Sequence, residues 1–220
     1  MRIIFLGPPG SGKGTYSSRL SPILKIPHIS TGDIFREEVK SGSELGKELH
    51  EIMKKGQLVP DELTVKILKE RISEEDCKDG FILDGFPRTI HQAEMLDRIT
   101  EIDYVLNLVI EREILVEKME ARRVCRKCGK IYNLANIRKG ELHMPPMLPE
   151  KEGVCDRCGG ELHQRHDDTR EVIEDRLKEY EKKTYPLIEY YSKKGKLKDV
   201  HIVGGPDVMI NLILKEIGKN

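Results

Sequence analysis

Lys13 stands in the run Gly7-Pro8-Pro9-Gly10-Ser11-Gly12-Lys13-Gly14-Thr15, a grouping of residue types suited to holding phosphate. Gly10, Gly12 and Gly14 let successive backbone N–H groups turn toward one point, and a helix starting there adds the partial positive charge of its N-terminus. Pro8 and Pro9 have no N–H to give and can only stiffen the turn, so Gly10, Ser11, Gly12, Lys13, Gly14 and Thr15 must supply the donors. Lys13 adds a point charge for β and γ phosphates. The position after it, where such loops carry a metal-binding hydroxyl, is Gly14, and the nearest hydroxyl belongs to Thr15.

A second constellation is Cys125-x-x-Cys128 and Cys155-x-x-Cys158, each pair followed by glycine. Each pair presents two thiolates on one tight turn; four thiolates fill the tetrahedral shell of zinc and leave no place for a substrate, so the ion they imply is structural. The surrounding segment has few large apolar residues, whereas structural zinc contributes on the order of 10 kcal/mol in small peptides. Disulfides are the rival use of these cysteines and belong to oxidising compartments. His143, His163 and His166 are ligand types too, but four cysteines suffice; Cys77 reads as a free thiol, buried or partly so.

These groups need elements to position them. Short apolar runs at Met1 to Leu6, Phe81 to Leu83, Tyr104 to Ile110 and Leu197 to Val203 alternate with helix-permissive stretches, which predicts an α/β domain with a mainly parallel sheet. Asp84 ends one strand as the phosphate loop ends another, and ligands collect at such carboxyl edges, so Asp84 is a candidate magnesium anchor acting through water. Lys13 to Lys25 is expected to be helical with Leu20, Ile23 and Leu24 on one face. Thr31 to Lys55 is expected to be helical with a break at Ser41-Gly42-Ser43, a small insertion with no strand before the helix that begins near Pro60-Asp61. Val124 to Gly160, rich in Gly, Pro, Cys and charge, is a second insertion. Asp168-Thr169-Arg170-Glu171 resembles a capping box opening a helix to roughly Ser192, interrupted near Pro186. The tight turn Gly85-Phe86-Pro87-Arg88 admits a cis peptide before Pro87.

Read together, the loop with glycine after its lysine, Ser30-Thr31-Gly32-Asp33-Ile34-Phe35-Arg36, Asp84-Gly85-Phe86-Pro87-Arg88-Thr89 with Gln92, Arg122-Arg123-Val124-Cys125 through Tyr132, and Gln164-Arg165-His166-Asp167-Asp168 resemble the adenylate kinases of the long-lid, zinc-binding type, within the nucleoside monophosphate kinases. The resemblance spans essentially the whole chain. It implies a P-loop core with a five-stranded parallel sheet flanked by helices (residues 1–30, 60–121 and 165–220), a helical monophosphate-binding insertion (31–59) and a zinc lid (122–164). It implies that ATP lies on Gly10 to Thr15, Arg122, Ile131, Tyr132 and Gly204. By the same match AMP lies on Thr31, Arg36, Gln57, Leu58, Val59, Gly85, Arg88, Gln92, Arg165 and Arg176. Lys13, Arg88, Arg122, Arg165 and Arg176 would be the catalytic cations, with Mg²⁺ accompanying ATP, structural Zn²⁺ on the four cysteines, and a monomeric state. Alone, Arg176 would read as a solvated charge, although it follows Ile173 by three and Val172 by four and so lies alongside the inner face of its helix. The stretch from Leu134 to Gly153 is longer than the connection the resemblance implies, and nothing in it assigns a role.

Composition limits the alternatives. Lys+Arg and Asp+Glu are both 38, so no net field draws polyanions and any phosphate site must gather its cations locally. In the second insertion Arg126, Lys127, Lys130, Arg138 and Lys139 are matched by Glu141, Glu150, Glu152, Asp156 and Glu161, with Tyr132 the lone aromatic, which argues against a nucleic-acid module. No apolar stretch approaches the roughly 18 residues of a membrane span and no leader is read at the N-terminus, so a cytoplasmic protein is expected. A high Lys and Glu content suits a heat-adapted protein. Two other functions share the motifs: a related kinase using GTP as donor or CMP and UMP as acceptor, and a zinc-ribbon switch that hydrolyses or senses ATP. A switch gives no reason for a second, arginine-rich nucleotide segment.

Overall fold

A computed structural model describes residues 1–219. Five parallel strands, β1 (Arg2–Leu6), β2 (His28–Ser30), β3 (Phe81–Asp84), β4 (Tyr104–Val109) and, last in the chain, β10 (Leu197–His201), form one sheet in the order β10-β4-β1-β3-β2. β1 reads as unbroken apolar sequence after Arg2 because both its faces are covered. Ile3 and Phe5 enter one core cluster with Leu20, Ile82 and Met209; Ile4 and Leu6 enter the other with Leu68, Leu83 and Leu187. From β1 the chain goes to β2 on one side and later crosses back to β4 on the other, so the loop after β1 lies at the switch point where an open sheet leaves a crevice.

The first two helices are α1 (Lys13–Leu24) and α2 (Thr31–Ser41). α1 corrects one expectation: Tyr16, Ser17 and Leu20 form its buried face, whereas Ile23 is exposed. Counting three on from Leu20 turns off the buried stripe, and only Leu24, four on, stays half-buried. α2 ends as expected at Gly42, φ 73°, and α3 (Glu44–Lys54) starts on the Ser43 cap, whose Oγ accepts the Gly46 N–H at 2.9 Å. Phe35, Leu49 and Val59 give this helix pair a core of its own. α4 (Asp61–Ile72), α5 (Ile90–Asp97) and α6 (Arg112–Glu120) follow.

The second insertion contains a three-stranded antiparallel sheet, β6-β5-β9, of β5 (Arg122–Cys125), β6 (Ile131–Asn133) and β9 (Leu162–His163). It also contains a hairpin, β7 (Ile137–Lys139) with β8 (Leu142–Met144), made from the long stretch that had no assigned role. Ile137 and Met144 are buried in the main core cluster beside Ile202, Met209 and Ile210, and Lys139 reaches Glu111 at 2.5 Å and Glu113 at 2.7 Å. The hairpin is thus a strap laid on the core.

α7 (Arg170–Glu179) does not open on a capping box: Thr169 caps it without a side-chain hydrogen bond, because Asp168 is turned inward onto Arg122. The interruption expected near Pro186 is a π-helical turn, Tyr180–Thr184, in which Tyr185 N–H reaches back five residues to Tyr180 O at 2.9 Å. Pro186 then begins α8 (Pro186–Lys193) at a position that needs no N–H, and α9 (Pro206–Glu216) closes the chain the same way. Among the described residues no helix is long and apolar enough to cross a membrane.

Candidate active site

The phosphate loop joins β1 to α1. Gly12 caps α1 at φ 106°, and a Cβ there would lie 2.8 Å from the Tyr16 ring, so glycine is required both by the backbone and by the space. Lys13 Nζ donates to Gly7 O at 2.7 Å and Pro8 O at 2.9 Å. Removal from water, together with nearby Arg88, Arg176 and Arg122 and against the pull of Asp84, lowers its pKa to about 7. Burial alone would raise the Asp84 carboxyl, but the His28 ring, 3.5 Å away, and Lys13 outweigh it and hold it below the usual range. A Cβ on Gly14 would stand 3.1 Å from Asp84 Oδ2, so the missing side chain keeps the front of that carboxylate open. A carboxylate at a strand end, 13% exposed in a cleft that Thr15 also lines, fits a largely hydrated magnesium ion.

Arg36, Arg88, Arg122, Arg165 and Arg176, from separate segments of the chain, converge on the same cleft. Arg122 opens β5 and makes a two-pronged contact with Asp168, Nε to Oδ2 at 2.8 Å, with the carboxylate fully buried. Arg176, on α7, forms an ion pair with Asp167 Oδ2 at 2.8 Å and donates a hydrogen bond to Asp167 O at 3.0 Å. Burial pushes the Asp167 carboxyl up, and Arg176, Arg122 and Arg165 overcome it, holding it at about 2. Arg88 Nε donates to Gly85 O at 2.8 Å after a cis Phe86-Pro87 peptide. Burial and the neighbouring Arg176 lower Arg88 to about 10. Arg165 is the least compensated: its side chain is 12% exposed, Nε is buried without a partner, and the Asp33 carboxylate is 3.8 Å away. Burial and Arg122 lower it to about 9. So many depressed cations facing one space define an anion site of high charge density.

An adjoining cavity is lined by Thr31, Gln57, Val59 and Gln92, and it shares Arg36, Leu58, Gly85, Arg88 and Arg176 with the cleft. Thr31 Oγ1 donates to Gly85 O at 2.9 Å, tying α2 to the turn after β3. Gly56 packs on Arg176, where a Cβ would lie 2.8 Å from its Cγ, so the return from the helical insertion touches α7 directly.

At the other end the cleft is walled by Ile131, Ala135, Ile137, Met144 and Pro145. Tyr132 departs from expectation. Strand alternation points Ile131 and Asn133 at the cleft and buries Tyr132 among the cysteines, its hydroxyl 3.5 Å from Cys155 Sγ and bonded to Asp156. Gly204 is buried, does not line the cleft and bridges to His143, while Pro206 takes the place at the wall. Ser11 is fully buried with an unpartnered hydroxyl. Sequence reasoning missed Lys118, which burial and Arg122 lower to about 8 and which lines the cleft. α6 ends at Glu120 and Arg122 opens β5, so no helical spacing links the two, and only the fold brings Lys118 to the cleft. The counter-ions Asp33, Asp167 and Asp168 lay inside the motifs without a role; only pairing in space supplies one.

The four cysteine sulfurs lie within 4.8 Å of one another, with Cys125 to Cys158 at 3.5 Å and Cys128 to Cys155 at 3.6 Å. Zinc bonded at ~2.3 Å to four tetrahedral sulfurs sets them about 3.8 Å apart, so the cluster fits the ion. Both turns close alike: Gly129 N–H bonds Cys125 O at 3.0 Å and Gly159 N–H bonds Cys155 O at 2.8 Å. Both glycines have positive φ, 72° and 68°, which is why glycine follows each pair. His163 Nδ1 sits 2.8 Å from Val124 O, and the histidines stand outside the cluster. Cys77 is buried apart from it against Arg71.

The profile of the adenylate kinase family matches residues 5–196. An adenylate kinase of Thermosipho africanus is 51% identical across 99% of this chain and 97% of its own length. One from Acetivibrio thermocellus is 52% identical across 94% and 93%, and one from Archaeoglobus fulgidus 50% across 91% and 90%. A cleft that gathers cations from separate segments beside a phosphate loop agrees with those matches, and the chain belongs to the adenylate kinase family.

Proposed function

We propose that this protein transfers the γ-phosphoryl group reversibly from magnesium-bound ATP to AMP, giving two ADP. The observation that carries this is the set of depressed cations, Lys13, Arg88, Arg165 and Arg176, that line the cleft, with Arg88 and Arg176 shared by the adjoining cavity. Phosphoryl transfer requires in-line positioning and stabilisation of migrating charge, and it needs no covalent intermediate. The AMP phosphate, a dianion, is already a nucleophile, so no general base is required of the chain.

In this reading the loop N–H groups from Gly10 to Thr15 hold the donor phosphates. Lys13 leaves the carbonyls of Gly7 and Pro8 for the β and γ oxygens, and Arg122, Arg165 and Arg176 follow the charge as it moves. Arg36 and Arg88 hold the AMP phosphate, Thr31 and Gln57 to Val59 frame its nucleoside, and Gln92 meets its base. Asp84 would hold magnesium through water, and that ion would offset the charge of the donor phosphates. The cysteine-bound zinc would keep the lid folded. Residues 31–59 and 122–164 act as two closing parts on the core of 1–30, 60–121 and 165–220, and their closure keeps water from the γ-phosphate. A monomer working in the cytoplasm completes the reading.

The donor-side wall favours a second reading for the base alone. Ile131, Ala135, Ile137, Met144 and Pro145 offer no side-chain hydrogen bond, and the Asn133 amide is already tied to Lys118 O and Ala135 N–H. Selection there rests on shape, which makes GTP a usable second donor. A panel of triphosphates against monophosphates, read by diphosphate formation, tests both readings: AMP should accept phosphate from ATP and, more slowly, from GTP. Failure of AMP with every donor would sink the assignment.

A further inference from the structure

Asp61, the first residue of α4, lies just past the return from the helical insertion and outside every motif discussed above. Its carboxylate takes two hydrogen bonds from α5 and its cap: Thr89 Oγ1 donates to Oδ2 at 2.8 Å, and Gln92 Nε2 donates to Oδ1 at 2.7 Å. The other end of the same amide is also fixed, since Arg88 N–H donates to Gln92 Oε1 at 2.7 Å. Rotating the amide by half a turn would set its NH₂ against the Arg88 N–H and its oxygen against a carboxylate. Both contacts would be repulsive, so the side chain is held in one orientation.

Gln92 is 2% exposed and lines the adjoining cavity. After its two protein bonds the amide keeps one N–H on Nε2 and one lone pair on Oε1, in a fixed order along its edge. A 6-aminopurine offers the complementary order, an amino donor beside the N1 acceptor. A 6-oxopurine offers the reverse, an oxygen beside an N1–H, and matches only the amide orientation that Asp61 and Arg88 forbid. We propose that Asp61 is a specificity-determining positioning residue: by fixing the Gln92 amide it makes the acceptor site select a 6-aminopurine monophosphate over a 6-oxopurine monophosphate. The inference rests on the proposed function, because it assumes that the acceptor base lies against Gln92.

Asp61 touches no substrate in this reading, so its signature is a ratio of acceptors rather than a loss of rate. Steady-state kcat/KM is measured with AMP and with inosine monophosphate for the wild type, Asp61→Ala, Asp61→Asn and Thr89→Val, at saturating ATP. Losing the charged acceptor should lower the preference for AMP about tenfold in Asp61→Ala, the scale of one hydrogen bond to a charged group, mainly through KM for AMP. KM for ATP should stay within about twofold. Asp61→Asn, which keeps the shape and offers a neutral oxygen, should fall between, and it carries the test if the alanine variant does not fold. Thr89→Val removes the other hydrogen bond to the carboxylate and the α5 cap on the Gln92 N–H, 3.1 Å, so it should lower the melting temperature and change the ratio less than Asp61→Ala, because the amide keeps its bond to Asp61. If Asp61→Ala and Asp61→Asn slow both acceptors equally, Asp61 is only a brace between α4 and α5 and the proposal is overturned. Wild-type turnover of AMP, measured first, tests the parent reading separately.

Discussion

At the residue scale the decisive group is Lys13, whose ammonium is held by two loop carbonyls and whose pKa is lowered to about 7 by burial among arginines. The protonated form is the one that binds phosphate. Without nucleotide that form is present below about pH 7 and is lost as pH rises through that value, so kcat/KM for ATP should fall on the alkaline side with a pKa near 7. A pH profile of kcat/KM would show it, and Lys13→Arg, whose guanidinium stays charged, should flatten the limb; an unchanged wild-type rate to pH 9 would contradict it. Asp84 is held below its usual range and so adds no acid limb near neutrality. Lys13→Ala should lower kcat/KM by roughly 10²–10³ with little change in melting temperature, because the side chain is spent on charge rather than packing. Tyr132 shows what a motif leaves open: of the adjacent pair Ile131 and Tyr132, alternation along β6 leaves Ile131 at the cleft and turns Tyr132 into the cysteine cluster.

At the element scale the second insertion is stabilised at two points of different chemistry. The cysteine turns hold one end with little apolar material, Tyr132 and the sulfurs being most of it. Stripping zinc with a chelator, or Cys158→Ser, should therefore melt the lid sheet at a lower temperature than the core and reduce activity only once that sheet has melted. Calorimetry run beside activity assays would separate the two events; loss of turnover in a still-folded lid would mean the metal is more than structural. The β7–β8 hairpin is held instead by Ile137 and Met144 in the main core. Met144→Ala should cost about 2–4 kcal/mol of global stability, read from urea unfolding, because it leaves a hole in the shared core. The sequence marked this stretch as too long and could not place it: a three-residue strand has no periodicity to detect, and its partner is the far end of the chain. The expected capping box failed for a related reason, since Asp168 had a stronger use against Arg122.

At the scale of the whole molecule, zero net charge coexists with a dense local cluster of cations, and the helical insertion approaches the last core segment across it at Asp33 and Arg165, 3.8 Å apart. Mutual repulsion among Arg88, Arg165 and Arg176 opposes that approach, and a polyphosphate between them removes the opposition. The radius of gyration in solution should therefore fall when magnesium, ATP and AMP are added together; scattering curves that superimpose with and without nucleotide would speak against closure.

What the sequence determined alone is chemistry whose partners are near one another in the chain. The loop from Gly10 to Thr15 and the two cysteine pairs each build their geometry within one turn, and continuous apolar runs announce a buried parallel sheet whatever the rest of the chain does. The fold and the family were legible at that level. Tertiary structure decided the rest: which counter-ion each arginine received, that Lys118 joins the cleft, that Asp61 holds Gln92, and that the hairpin lies on the core. These contacts join residues far apart in the chain, and a charge gives no sign of its partner until the sheet has brought the two together.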